Sequence, residues 1–167
     1  MYRLTTTLIA LVAIAALAIA ALGPAASARP REQGTIVETA VAAGQFKTLA
    51  MLLKRTGLVA TLQQEGPYTV FAPTDAAFQR VPKSTLNALL KDKAKLRAVL
   101  LYHVVAGKVT AAKIVKLSSA RTANGKSIRI RIAGSNVFAN SSKVTRADVM
   151  ASNGVIHVVN RVLIPSA

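Results

Sequence analysis

Two histidines, one aspartate and a large excess of cations are the residues of this chain with the chemistry of a functional site. His103 and His157 have the side chains of metal ligands or proton acceptors, but no spacing ties either one to a carboxylate that would complete a metal site. Cysteine is absent, which excludes disulfides, thiol catalysis and zinc–thiolate sites. Asp75 stands between a strand pattern and a helix pattern, where capping requires fewer partners than acid catalysis. These residues therefore predict structural roles, with neither metal nor cofactor.

The motifs of nucleophilic and phosphate chemistry are also missing from the sequence. No Gly-x-Ser-x-Gly elbow presents a serine, and no glycine-rich loop is placed to hold a phosphate. The sequence therefore predicts a protein that is not an enzyme.

The cations are the more distinctive chemical feature. The formal net charge is +16, from 22 Lys and Arg against 6 Asp and Glu. Such an imbalance attracts polyanions, although a charged surface that only maintains solubility is the alternative. The candidate polyanion-binding residues fall around one helix start and in the C-terminal half, and they are Lys91, Lys93, Lys95, Arg97, Arg129, Arg131, Arg146 and Arg161.

The N-terminus indicates which polyanions the protein meets. Arg3 precedes an apolar run over residues 8–22, and the small residues ending at Ala28 match a secretory cleavage site. The run is shorter than the roughly 18 to 20 residues of a membrane span, so we interpret residues 1–28 as a cleaved signal peptide rather than a retained anchor. A secreted or periplasmic protein then meets anionic polysaccharide, cell-envelope or matrix components, or an anionic membrane surface. Nucleic acid binding would be adventitious.

The elements that position these residues change in type along the chain. After a linker over residues 29–34, a domain over residues 35–165 begins with helical periods, the first opened by a Thr35–Glu38 capping box. The period becomes two near residue 128, where Ile128, Ile130 and Ile132 alternate with arginines, which predicts a strand with one buried and one cationic face. Helices followed by strands predict an α+β domain.

A corner over residues 68–78 joins a strand to a helix without a linker. The strand ends at Pro73, which has no N–H for a sheet ladder. Thr74 and Asp75 are predicted to cap a helix that opens at Ala76.

Three separated blocks, residues 68–78, 101–109 and 153–165, closely resemble the signature motifs of the fasciclin domain. The resemblance implies a wedge-shaped β-sandwich of about seven strands flanked by short helices, and a role in adhesion or extracellular binding. The motif residues to which we assign a structural role are Phe71, Pro73, Thr74, Asp75, Phe78, Asn153, Gly154 and His157.

The middle block contains Tyr102 and His103, which the sequence pattern places at the start of a strand. The resemblance implies a binding role for this pair, because the central motif is linked to integrin recognition in animal members. Packing and backbone hydrogen bonding are the alternative, since a short strand among Leu and Val is a packing environment.

Two functions follow from these observations. The first is a secreted binding or adhesion module that contacts anionic cell-surface or matrix material through its Lys/Arg clusters. The alternative is a carrier of a small apolar ligand such as a carotenoid, as some secreted members of the family are. Aromatic residues make up only 4% of the chain, which offers few rings to stack on a polyene.

Overall fold

Helices predominate in the first part of the described chain, where two strands lie between them, and strands predominate in the second part. The computed structural model describes residues 33–165, which belong to one compact unit. The helices within this range are α1 (Ile36–Ala42), α2 (Lys47–Thr56), α3 (Leu58–Gln63), α4 (Asp75–Gln79), α5 (Lys83–Lys91), α6 (Lys93–Tyr102) and α7 (Ala111–Ile114). The strands are β1 (Tyr68–Pro73), β2 (Val104–Ala106), β3 (Ser119–Arg121), β4 (Ser127–Ala133), β5 (Asn136–Ala139), β6 (Ser142–Ala151) and β7 (Gly154–Val159).

The strands form one sheet that nearly closes on itself. Their order is β2-β1-β7-β6-β5-β4-β3, with β1 and β7 parallel and the other neighbours antiparallel. The two outer strands approach each other, because Val105 bridges to Thr122 and the Ala123 N–H donates to the Val104 carbonyl at 2.7 Å. The predicted α+β class with about seven strands is confirmed.

Two hydrophobic cores lie on opposite sides of the sheet. The first lies between the helices and the sheet, where Leu52 of α2 and Leu100 of α6 pack in one cluster with Ile156 of β7. The second is enclosed by the curved sheet and includes Phe71 and Ile128, which are both fully buried. Phe78 packs in the first core, so the two phenylalanines of the corner hold different layers together.

Local sequence signals explain the start of the helical layer. Thr35 Oγ1 accepts a hydrogen bond from the Glu38 N–H, and Glu38 Oε2 accepts one from the Thr35 N–H. The predicted capping box is therefore confirmed. Gly57 separates α2 from α3 with φ +72°, a left-handed conformation that glycine adopts without steric cost.

Two predictions about secondary structure and burial were wrong. Tyr102 and His103 do not begin a strand, because α6 continues through Tyr102 and ends at His103. Val99 and His103 lie one helical turn apart and are both buried, so helical packing persists to that point. Ile132 is 47% exposed, since β4 extends beyond its pairing with β3 and leaves this residue at the outer end of the β4–β5 hairpin.

The turn between β6 and β7 connects distant parts of the fold. The Asn153 side chain accepts a hydrogen bond from the Ile36 N–H at 2.9 Å and donates one to the Leu62 carbonyl at 2.6 Å. The next residue, Gly154, lies directly against the Tyr68 carbonyl, where any Cβ atom would collide with the backbone. Only glycine fits this approach of β7 to β1.

The predicted signal peptide over residues 1–28, the cleavage site near Ala28 and most of the linker lie outside the described residues. From residue 33 to residue 165, no helix has both the length and the apolar character required to span a membrane.

Candidate functional site

An open concavity of about 570 Å³ lies beside β4 and contains two of the predicted polyanion-binding residues. We call it the strand concavity, and its lining residues are Tyr102, Ser127, Arg129, Arg131, Asn140, Ser141 and Ile164. Arg129 and Arg131 alternate along β4 with the buried Ile128 and Ile130, so the predicted cationic face of this strand forms one wall. The guanidinium of Arg131 lies 5.3 Å from the centre of the Phe138 ring, a cation–π contact that helps to orient it.

The base of the strand concavity is a hydrogen-bonded pair of side chains. The Tyr102 hydroxyl donates to the Ser127 carbonyl at 3.1 Å and accepts from Asn140 Nδ2 at 2.9 Å. Asn140 Oδ1 accepts from the Arg129 N–H at 2.9 Å. Asn140 has φ +54°, a left-handed conformation that asparagine adopts more readily than most residues. Tyr102 therefore contacts the site at its base and fixes the backbone of Arg129 through Asn140.

The chain after β7 forms the opposite wall, and we call residues 160–164 the C-terminal strap. His103 anchors it, because the Leu163 N–H donates to His103 Nε2 at 2.9 Å while His103 Nδ1 lies 2.8 Å from the Val99 carbonyl. The imidazole is thus a donor at Nδ1 and an acceptor at Nε2, which is the neutral form. Burial lowers the pKa of His103 to about 4, outweighing the opposite effect of its bond to Val99.

A second open concavity, of about 340 Å³, lies on the other side of the strap. We call it the loop concavity, and its lining residues are Ala77, Arg80, Val81, Pro82, Arg161, Val162 and Ile164. Arg80 also donates to the Asn160 carbonyl at 3.2 Å, which ties it to the strap. Ile164 lines both concavities and is 44% exposed. We call the two concavities together the arginine groove.

Within the described part of the chain, the arginine groove contains no negative charge that would neutralise its cations. Among residues 33–165, no carboxylate lines either concavity, and none forms an ion pair with the groove arginines. Asn160 belongs to the strap, and its Oδ1 accepts from the Lys143 N–H at 2.9 Å. Its amide side chain is neutral and so adds no negative charge beside Arg161.

The carboxylates instead cap helices, and Asp75 does so differently from the prediction. Thr74 alone caps α4, which begins at Asp75 rather than at Ala76. The Asp75 carboxylate reaches α2, where it accepts from the Thr48 N–H at 2.8 Å and the Lys47 N–H at 3.3 Å. Partial burial raises the pKa of Asp75, but the hydrogen bonds from Thr48 and Lys47 outweigh this effect and lower it overall. The corner is thereby joined to a helix that is distant in sequence.

Two further carboxylates have the same role. Asp92 accepts from the Lys95 N–H at 3.0 Å at the start of α6, and this bond lowers the pKa of Asp92. Asp148, on β6, accepts from the Ala111 N–H at 2.8 Å at the start of α7. With the Glu38 capping box, four of the five acids within residues 33–165 lie at helix N-termini.

The other predicted cations do not form a comparable site. Lys91 and Lys93 are exposed beside the start of α6, while Lys95 pairs with Asp92 at 3.4 Å and Arg97 donates to the Thr56 carbonyl at 3.3 Å. Arg146 is exposed at an irregularity of β6 and lines neither concavity.

His157 is fully buried in β7, far along the chain from the strap anchor. Its Nε2 lies 2.7 Å from the Val109 carbonyl, and its Nδ1 accepts from the Asp148 N–H at 3.4 Å. The ring centre lies 5.5 Å from that of Phe71. Burial lowers the pKa of His157, more than the Val109 bond and the Asp148 charge raise it. Among the described side chains, no group of three or more His, Cys, Asp or Glu is arranged to hold a metal ion.

Comparison with known proteins identifies the family. A model of the fasciclin domain matches residues 44–165. The chain belongs to the fasciclin domain family. A fasciclin-domain structure, the FAS1 domain pair from the insect cell adhesion molecule Fasciclin I, has a TM-score of 0.60 and 22% identity, covering 75% of this chain and 47% of that one. This likeness shows the fold.

Similar proteins occur in bacteria and in animals. Protein sll1483 of Synechocystis is 44% identical over 133 residues, which are 78% of this chain and 73% of that protein. A second Synechocystis protein, sll1735, is 40% identical over 77% of this chain and 96% of its own length. The transforming growth factor-beta-induced protein ig-h3 of Sus scrofa is 37% identical over 80% of this chain, but only 20% of that protein is covered. The region similar to this chain therefore makes up nearly all of sll1735 but only about a fifth of the animal protein.

Three of the four arginines of the groove were predicted from the sequence, and the fourth was missed. Arg129, Arg131 and Arg161 were among the predicted residues, whereas Arg80 and Ile164 were not. Arg80 follows α4 as an isolated cation, and no local pattern links it to a strap 80 residues later. Asn140 was not among the predicted site residues either, and its amide nitrogen donates to the Tyr102 hydroxyl, a partner 38 residues away in sequence.

Proposed function

We propose that this fasciclin domain is a secreted, non-enzymatic binding module that attaches to anionic polysaccharide of a cell envelope or matrix through the arginine groove. The observation that supports this is that Arg129 and Arg131 line one concavity together with Ser127 and Ser141, and that no carboxylate from residues 33–165 lines it. Arginine binds carboxylate, sulfate and phosphate groups through two parallel hydrogen bonds, and hydroxyl groups complete the coordination. An adhesive role agrees with the cell adhesion molecule among its structural neighbours.

The distribution of charge favours the groove over the cluster near α6. Two of the four cations in that cluster already contact Asp92 or the Thr56 carbonyl. The groove arginines are exposed, and a ligand that binds there displaces no carboxylate. The groove arginines can therefore attract an anionic ligand without first breaking an ion pair within the described protein.

Binding of the purified protein to immobilised heparin, a sulfated polysaccharide, tests the proposal. We expect retention that weakens steeply between low and high salt, because salt screens exposed charges. The double variant Arg129→Gln/Arg131→Gln should lower the affinity by about tenfold or more, since each charge-assisted hydrogen bond is worth about 1.5 to 3 kcal/mol before screening.

A matched control removes the same charge elsewhere. Lys91→Gln/Lys93→Gln lowers the net charge equally but leaves the groove intact, and it should retain most of the affinity. Equal losses in the two double variants would show that net charge alone drives binding and would reject the groove. Single-stranded DNA of matched charge should compete less well than heparin, because the groove presents no exposed aromatic face for base stacking.

The alternative function, a carrier of an apolar ligand, has less support. The enclosed apolar gap between α2, α5 and α6 has a volume of only about 10 Å³. A gap of this size barely accepts one water molecule. A polyene would enter only if these helices separated, so we do not propose this role.

A further inference from the structure

We propose that the arginine groove binds a linear polyanion at two points, with one anionic group at the strand concavity and a second at the loop concavity. This inference rests on the proposed function and specifies its ligand: an anionic polysaccharide chain long enough to place charged groups at both points at once, rather than a single anionic sugar or a free anion.

The two concavities are adjoining parts of one surface. Ile164 lines both, and its side chain is 44% exposed between them. Each concavity has its own pair of arginines, and the residue between them is apolar. A ligand that follows the groove therefore meets positive charge, an apolar contact and positive charge again. The C–H face of a sugar ring suits the middle position, while the charged substituents of the polymer reach the arginines on either side.

The strap between the concavities is held in place before a ligand binds. The His103 ring accepts from the Leu163 N–H at 2.9 Å, and Ser142 Oγ donates to the Arg161 carbonyl at 3.2 Å. Arg80 donates to the Asn160 carbonyl at 3.2 Å. These three bonds fix the backbone of the strap from one end to the other. A pre-ordered site avoids part of the entropy cost of binding.

The loop concavity begins close to the strand concavity. Arg161 and Ile164 are three residues apart, so the Cα atom of Arg161 lies at most about 11 Å from that of the residue that lines both concavities. Successive units of one polymer can therefore enter both concavities. Once the first group is bound, the second is present at a high effective concentration, so a chain that reaches both points binds far more tightly than one that reaches a single point.

The experiment measures affinity as a function of ligand length. Heparin disaccharide and decasaccharide are titrated into the protein by calorimetry, and the ratio of their dissociation constants is the readout. For the unmodified protein we expect the decasaccharide to bind at least about 100-fold more tightly. Arg80→Gln/Arg161→Gln should weaken decasaccharide binding far more than disaccharide binding, and so reduce the ratio to the few-fold gain expected from overlapping registers on a longer chain.

Controls separate the geometry from charge and folding. Arg161→Gln alone keeps the bond between Arg80 and the strap and should still lower the ratio, whereas Lys91→Gln/Lys93→Gln should not. A ratio that is already small in the unmodified protein, or that the loop-concavity variants leave intact, would overturn the two-point site. Failure of both ligands to bind would instead reject the proposed function itself.

Discussion

Charged side chains have different roles in the helical layer and in the arginine groove. In the helical layer, Glu38, Asp75 and Asp92 each accept a hydrogen bond from a backbone N–H at a helix start. In the groove, the charged side chains are exposed arginines without a carboxylate among residues 33–165 to pair with them. Charge in the first region stabilises the fold, whereas charge in the second is left for a ligand.

The difference shows how a net charge of +16 is compatible with a folded domain. Four of the five acids within residues 33–165 accept hydrogen bonds at helix N-termini, so few carboxylates remain to neutralise the cations of this part of the chain. The surplus cations remain exposed to solvent, where their mutual repulsion is screened. His103 lies between the two regions, joining α6 to the strap while remaining uncharged. The comparison therefore predicts that introducing charge at this junction has a larger effect than removing charge from either side.

Acidification provides the strongest test, because it introduces charge at the junction. The pKa of His103 is lowered to about 4 in the folded protein, against about 6.5 when unfolded. Between these values the unfolded chain binds the extra proton, so stability is complete above pH 6.5 and decreases as the pH falls towards 4. His103 alone should cost about 3 kcal/mol by pH 4, and His157, whose pKa is also lowered, adds to the loss. Urea unfolding at a series of pH values measures this loss in the free energy of unfolding.

A histidine variant is the control for this prediction. His103→Gln should be less stable at pH 7, because it loses the ring that fills a buried position, but its stability should depend less on pH between 6.5 and 4. If the free energy of unfolding changed with pH by the same amount in the variant and in the unmodified protein, His103 would be excluded as the source of the pH dependence.

The second prediction removes an acid from the helical layer. Asp75→Ala leaves the Thr48 and Lys47 N–H groups without their acceptor and disconnects the corner from α2. We expect a loss of about 2 kcal/mol in the free energy of unfolding, at the upper end of measured capping effects. Thr74→Ala, which removes a cap within a single short helix, should cost about 1 kcal/mol. If Thr74→Ala proved the more costly variant, the long-range cap would not have the assigned importance.

These residues also show what the sequence can and cannot predict. Capping boxes and strand periods are local, so the Thr35–Glu38 box and the burial pattern of Ile128 and Ile130 could be predicted correctly. From its place in the sequence, Asp75 was expected to cap the helix that follows it. Only the folded structure shows that its carboxylate accepts from the Thr48 N–H at the start of α2 instead. The groove depends on the strap returning beside β4, a non-local arrangement that no short window of sequence contains. Resemblance to the fasciclin domain predicted the fold but not the position of this chain's own arginines.

The third prediction concerns the hydroxyl group at the base of the strand concavity. Tyr102→Phe removes the bonds to the Ser127 carbonyl and Asn140 while leaving the ring in the second core. We expect a loss of about 1 kcal/mol in stability, typical of a buried hydrogen bond. Heparin affinity should also fall, because Asn140 no longer holds the Arg129 backbone in place.

Tyr68→Phe is the matched control for this change, since the Tyr68 hydroxyl makes no hydrogen bond to a side chain or backbone group within residues 33–165. It should leave both stability and heparin affinity unchanged. A Tyr102→Phe protein with lower stability but unaltered affinity would restrict Tyr102 to a packing role.

The smallest expected effect on stability comes from the groove itself. Arg129→Gln/Arg131→Gln should change the free energy of unfolding by no more than about 0.5 kcal/mol, because both side chains are exposed and make no ion pair with a described carboxylate. The Arg131 contact with Phe138 adds little at an exposed site. Thermal unfolding of the double variant, measured with and without heparin, separates the two roles of charge: the free protein should unfold nearly as before, while the upward shift caused by heparin should largely disappear. A double variant that is strongly destabilised without heparin would place these arginines among the residues that maintain the fold, and the contrast between the two regions would be lost.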